Sequence, residues 1–195
     1  MLEMKQTLKS ISNYLSTIIV LPLYGSYLLN RCFTSANAAL ESHSQLISLV
    51  PGKTGNYLRN AFYRLTLDYC DPNATICFGV LITNTKARIG RHAYIGSRCC
   101  LGWTTIEDDV LIAPSVHIVS GPHMHTFDSL DVPIRDQMRK PQQVTIGRDS
   151  WIGTGSIVLA NVAPKAIVGA NSTVTKEIPT RAIAVGSPAK IVKMR

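Results

Sequence analysis

An aliphatic residue returns at every sixth position through much of this chain, and no other feature constrains its fold so tightly. Ile89-Gly90, Ile95-Gly96 and Leu101-Gly102 set the step, and Ile106-Glu107, Ile112-Ala113 and Ile118 resume it after one step of five. After a break it returns at Ile146-Gly147, Ile152-Gly153 and Val158, and again at Val168-Gly169 and Val174. An aliphatic residue at this spacing points inward from each face of a triangular coil, and the small residue beside it lets the backbone turn the corner. Three such units make one coil. Successive coils pair their backbone hydrogen bonds, so the repeat, which begins at about Ile76, stacks into a prism.

Composition agrees. Aromatic residues are 7% and charged residues 16% of the 195 residues, which suits a tightly wound all-β solenoid and excludes a large aromatic core. The length fits one ordinary domain with a small appendage. Five cysteines (Cys32, Cys70, Cys77, Cys99, Cys100) are odd in number and lack CxxC spacing, so neither a disulfide framework nor a zinc site is indicated and a reducing compartment fits best. The adjacent Cys99 and Cys100 fall inside the repeat and read as small packing residues.

The net charge of +8 lies at both ends. From Lys140 onward eight basic residues face only Asp149 and Glu177, and residues 1–66 carry six basic against two acidic. Such surfaces attract anionic lipid, nucleic acid or phosphorylated small molecules. The basic residues are not interleaved with aromatics and no nucleic-acid module is recognisable, so nucleic acid is set aside.

Before the repeat, Ser10 to Asn30 is an uncharged run preceded by Lys5 and Lys9 and followed by Arg31. Four serines, Asn13, Pro22 and Gly25 dilute it below what a spanning helix needs. Three readings stay open: a membrane-associated hairpin or interfacial helix, a helix packed on the protein itself, and a signal peptide cut after Ala36-Asn37-Ala38. From Thr54 to Leu65, the residues Tyr57, Leu58, Ala61, Phe62 and Leu65 recur at helical spacing between Arg59 and Arg64. That basic, amphipathic helix either lies on an anionic membrane through residues 54–65, as residues 10–30 would, or caps the open end of the solenoid.

The break in the repeat, Ser120 to Gln143, is too long to be a mere connection and marks a functional loop. It opens Gly121-Pro122-His123-Met124-His125 and continues through Asp128, Asp131 and Arg135.

With these residues in view, residues 76–195 resemble the hexapeptide-repeat acyltransferases, and among them the polysaccharide and lipopolysaccharide O-acetyltransferases. The likeness is carried by VLIAPSVHIVSGPHMHTFDSLDVPIRDQ, VTIGRDSWIG and VTKEIPTRAIAVGSPAKIV, with a looser match at LPLYG and LVPGKTGNYLRNAFYRLTL. It implies an all-β, left-handed parallel β-helix with a helical, partly apolar N-terminal segment. The expected division is a helical segment at 1–68 and an acyltransferase domain at 69–195, with a catalytic loop at 119–143.

The resemblance further implies an acetyl-CoA-dependent O-acetyltransferase of a sugar, polysaccharide or lipid-linked glycan, with no metal. The enzyme would be a homotrimer whose sites lie between neighbouring prisms, and it would work in the cytoplasm, at the inner face of the cytoplasmic membrane. Matching VLIAPSVHI without a gap places the catalytic base at His123, with His125 as second candidate. Imidazole suits the task because its ordinary pKa of about 6.5 leaves neutral base available near pH 7. Asp128, Asp131 and Arg135 are the expected acceptor contacts. Trp151, Thr154, Ala170, Thr175, Lys176, Lys190 and Lys193 are the expected coenzyme A contacts, the lysines serving its phosphates. Two other readings compete: a zinc enzyme like the γ-type carbonic anhydrases, whose histidine spacing the five histidines here do not reproduce, and a non-catalytic trimeric scaffold linked to a membrane.

Overall fold

The computed structural model describes the backbone of residues 2–195 and the side chains from residue 9 onward; Met1 and the side chain of Lys5 lie outside the described residues. Three helices come first: α1 (Leu2–Arg31), α2 (Ala36–Ser48) and α3 (Gly52–Thr66). Fifteen short parallel strands then wind about six turns of a triangular solenoid, and a sixteenth folds back on the end.

The first face holds β1 (Tyr69–Cys70), β4 (Arg88–Ile89), β7 (Thr104–Ile106) and β10 (Val144–Ile146). The second face holds β2 (Thr75–Ile76), β5 (Tyr94–Ile95), β8 (Leu111–Ile112), β11 (Trp151–Ile152), β13 (Ile167–Val168) and β15 (Ala182–Val185), with β16 (Lys190–Met194) antiparallel at its edge. The third face holds β3 (Leu81–Ile82), β6 (Cys100–Leu101), β9 (His117–Ile118), β12 (Ile157–Val158) and β14 (Thr173–Val174).

Register explains the six-residue step. Ile76, Ile95, Ile112, Ile152, Val168 and Ala184 form one inward ladder up the second face, all fully buried. The first face continues past β10 through the bridges Ile146↔Val162↔Ile178, so Val162 and Ile178 hold inward positions that the strict hexad misses. The winding also begins before Ile76, at Cys70, whose partner is Ile89.

The corners differ from the sequence expectation. Left-handed backbone is carried by non-glycine residues such as His92, Arg98, Asp109 and Ser115. The glycines following the aliphatic positions serve close approach instead: a Cβ on Gly96 would meet Ala113 C and Pro114 N of the next coil at 2.6 Å. Cys99 is likewise packed in, its Sγ donating to Ala113 O at 3.2 Å, and burial pushes its thiol up to about 11.

A solenoid ends in unpaired backbone, which is costly unless matched. Here α2 and α3 supply the match. Arg59, fully buried, donates from Nε to Ile76 O (2.9 Å), from Nη1 to Val50 O (2.6 Å) and from Nη2 to Asn56 Oδ1 (2.7 Å), with longer contacts to Ile47 O and Ser48 O. Among the described residues no carboxylate pairs with it; the carbonyls at the C-terminal end of α2, the negative end of that helix, take its charge. Ser44 Oγ accepts from Ile82 N–H at 2.9 Å, and Asn60 Nδ2 donates to Asp71 O and Ala74 O. Phe62 and Tyr63 are buried beneath, so α3 covers the open end of the solenoid.

Ala36-Asn37-Ala38 is the first turn of α2, capped by Ser35 Oγ accepting from Ala38 N–H. Asn37 Oδ1 accepts from the backbone N–H of Thr85. The triplet is thus part of a capped helix, with Asn37 and Ala38 exposed on its surface. Helix α1 lies against α3 through Ser16, Val20 and Tyr27, and turns Ile11, Leu15, Ile18, Ile19 and Leu29 outward. Among the described residues, no helix is long and apolar enough to cross a membrane.

Arg59→Met should destabilise the protein by about 3 kcal/mol, because several buried carbonyls lose their only side-chain donor; the urea midpoint measures it. Gly96→Ala should lower the same midpoint by about 2 kcal/mol, since the added methyl forces neighbouring coils apart.

Candidate active site

The long loop leaves the solenoid after β9 and is pinched at its base. Gln142 N–H donates to Ser120 O at 2.8 Å, and Val144 N–H to Trp103 O at 3.0 Å, so β10 rejoins β7 as if nothing intervened. A second rung, Thr126 N–H to Met138 O at 2.8 Å, holds the arm halfway out. Beyond it the Gln137 amide donates to Ser129 O and Val132 O, beside a single 3-10 turn at Ile134–Asp136. The arm carries apolar groups into solvent: Phe127 is 70% and Leu130 99% exposed.

Between the two rungs lies a groove of about 390 Å³ lined by His123, His125, Thr126, Phe127, Asp128 and Lys140. His123 is exposed to it. His125 is half-buried, and its Nδ1 is enclosed without a hydrogen-bond partner among the described residues. The structure therefore brings together His123, His125 and Asp128. It does not bring Asp131 or Arg135 to them: both are exposed farther along the arm, and Arg135 pairs with its neighbour Asp136 at 3.5 Å. Lys140 and Gln142 were not anticipated. The only sequence signal for them was that they close the interruption.

The expected donor residues flank the third face. Thr154 and Ala170 occupy one edge on successive coils, with Asn171 N–H donating to Thr154 O at 2.8 Å. Thr175 and Lys176 follow β14 at the opposite edge, where the loop also departs. There a hollow of about 180 Å³ runs from Gly121 and Gln142 at the loop base to Leu159 and Glu177, next to Lys176. Gln143, Ala160 and Asn161 also line it, so the hollow is walled by polar side chains as well as by backbone. Trp151 stands outward on the second face between Leu111 and Ile167, and Lys190 and Lys193 project from β16. Each of these donor candidates is exposed, and they span two faces of one prism rather than converging in a cleft.

The remaining histidines are far apart in the fold. His43 is buried in the cap, with Nδ1 at 2.8 Å from Ala39 O and Nε2 at 3.1 Å from Ser26 Oγ. His92 pairs with Asp109 at 3.3 Å, and His117 stands outward between Cys100 and Ile157. Asp109 also receives Arg148 at 3.1 Å, and these hydrogen bonds hold its carboxyl below the usual carboxylate range against the opposing effect of desolvation.

No family model matches the chain. A probable acetyltransferase of Mycobacterium tuberculosis is 38% identical over 119 residues, covering 60% of this chain and 38% of that protein. A galactoside O-acetyltransferase of Lactococcus lactis is 31% identical over 110 residues, covering 52% of this chain and 53% of that one. The chain thus spans about half or less of the length of these curated relatives. Among solved structures, a hexapeptide-repeat-containing acetyltransferase of Vibrio cholerae complexed with acetyl coenzyme A superposes with a TM-score of 0.66 at 24% identity, covering 84% of this chain and 87% of that one. In fold, and over a little more than half its length in sequence, the chain is similar to the hexapeptide-repeat acetyltransferases, and its six-turn prism is their left-handed β-helix.

Proposed function

We propose that the protein is an acetyl-CoA-dependent O-acetyltransferase acting on a sugar hydroxyl of a polysaccharide or lipid-linked glycan, with His123 as the base. The observation that carries this reading is the common edge of the third face: the loop with both histidines leaves it, and Thr175 and Lys176 lie on it two coils farther on. A donor thioester laid along that edge comes near the imidazoles. His123 takes the proton from the acceptor hydroxyl as that oxygen attacks the thioester carbonyl; the tetrahedral intermediate then expels coenzyme A as thiolate, which the protonated histidine neutralises. His125, enclosed beside it, positions the acceptor or the first ring, and Asp128 accepts from sugar hydroxyls.

One prism offers this chemistry an open edge, not a cleft. We infer a homotrimer in which a neighbouring prism supplies the second wall, and the exposed Phe127 and Leu130 of the arm reach across to it. The lysines at 176, 190 and 193 meet the phosphates of coenzyme A. The sugar acceptor draws support from the galactoside-acetylating relative. The outward apolar residues of α1 favour an acceptor held at the inner face of the cytoplasmic membrane. Residues 1–68 then act as the cap and membrane-facing segment, and residues 69–195 as the catalytic body.

Thiol release from acetyl-CoA with a panel of glycan acceptors should fall about 10²- to 10⁴-fold in kcat for His123→Ala, the usual worth of a positioned base, with His125→Ala less affected. Activity unchanged in His123→Ala would transfer the role elsewhere. Lys190→Gln combined with Lys193→Gln should raise KM for acetyl-CoA several-fold with kcat nearly constant, because their charge is met by the donor alike before and during reaction.

A further inference from the structure

At the opposite end of the prism from β16, two adjoining cavities open between α1, α3 and the first coil, about 300 and 630 Å³ in volume. They share Lys9, Asn13 and Asn73; Lys53, Asn56 and Asn60 complete the smaller one, and Arg64 borders the larger. None of these three cations has a carboxylate partner among the described residues. Asp71, which precedes the lining residue Pro72, has its oxygens engaged by Asn73 N–H and Tyr69 OH, and Asp68 pairs with Arg88.

Asn60 is the telling residue. It is 97% buried, counting from its 3% exposure, and both its amide protons go to backbone carbonyls, Asp71 O at 2.9 Å and Ala74 O at 3.0 Å. That fixes the amide orientation and leaves Oδ1 enclosed with no donor. A buried acceptor in this state calls for a donor, which a ligand hydroxyl can supply. Asparagines gathered with unpaired lysines form the surface that a phosphorylated polyol requires: hydroxyls for the amides, a phosphate for the ammonium groups. The wall above the cavity is α1, whose other side exposes Ile11, Leu15, Ile18 and Ile19. One helix therefore presents a polar cavity on its inner side and an apolar face on its outer side, one helix diameter of about 10 Å apart, the order in which an interfacial helix meets headgroups and acyl chains.

We propose that this cavity binds the phosphorylated polyol headgroup of an anionic membrane lipid, with Lys9 and Lys53 on the phosphate, Asn60 and Asn73 on the hydroxyls, and the outer face of α1 lying in the acyl region. The inference rests on the membrane-surface reading of α1 and is independent of the acetyl-transfer chemistry.

Vesicle co-sedimentation of the full chain tests it, with phosphatidylcholine alone or doped at equal charge with phosphatidylglycerol, which carries a polyol, or phosphatidylserine, which does not. Binding should rank phosphatidylglycerol above phosphatidylserine above phosphatidylcholine. Lys9→Gln with Lys53→Gln should weaken phosphatidylglycerol binding by roughly 25-fold, about fivefold per lysine. Asn73→Ala should bring phosphatidylglycerol down to the phosphatidylserine level, a change that charge alone would not produce, and soluble glycerol phosphate should compete. Equal binding of both anionic lipids, indifferent to Asn73→Ala, would overturn the headgroup site while leaving the membrane reading intact. Leu15→Ser with Ile19→Ser should reduce binding to all three vesicles yet spare calorimetric binding of glycerol phosphate. A wild-type chain that binds glycerol phosphate and no vesicle would overturn the lipid assignment in favour of a free polyol phosphate.

Discussion

A strand two residues long has no stability of its own, and nearly every strand in this protein is that short. What holds them is vertical: each coil donates and accepts along its full perimeter to the coils above and below, while one aliphatic side chain per face fills the prism axis. Such a structure is only as sound as its neighbours allow, so its ends carry a burden that its middle does not. The N-terminal end meets it with Arg59, Ser44 and Asn60, side chains that stand in for the missing backbone of a preceding coil. The C-terminal end meets it with β16, an antiparallel strand that stops the winding by reversing it.

The same vertical order places the candidate residues. Outward positions of successive coils line up into columns, so residues far apart in sequence share an edge by register alone. Thr154 and Ala170 stack in this way, and the edge carrying Thr175 and Lys176 is the one from which the histidine arm emerges. A regular prism is smooth along its faces, and the grooves beside this edge are made where the arm departs from it.

Much of this was legible in the sequence because the repeat is phased. Ile89 through Val174 gave the inward ladder directly, and the interruption announced the arm. Val162 and Ile178 were hidden because a step of four separates each from the preceding inward residue, a shortened corner that keeps the register without keeping the period. Glycine was assigned a turning role that falls to His92, Arg98 and their equivalents, since two kinds of corner residue cannot be told apart without the backbone. Arg59 read as part of a basic helical surface and is among the most deeply buried side chains, because its acceptors, carbonyls of α2, of Val50 just beyond it and of β2, have no sequence signature. The arm's own layout was also out of reach: Asp131 and Arg135 looked like neighbours of the histidines, but spacing in an irregular loop carries no direction.

The closure of the arm by Ser120 and Gln142 has an evolutionary meaning. Since β10 meets β7 in unbroken register, the prism does not sense how many residues lie beyond that neck or what they are. The arm is in effect a cassette: a change in its length or sequence leaves the pairing of β10 with β7, and with it the body of the prism, in place.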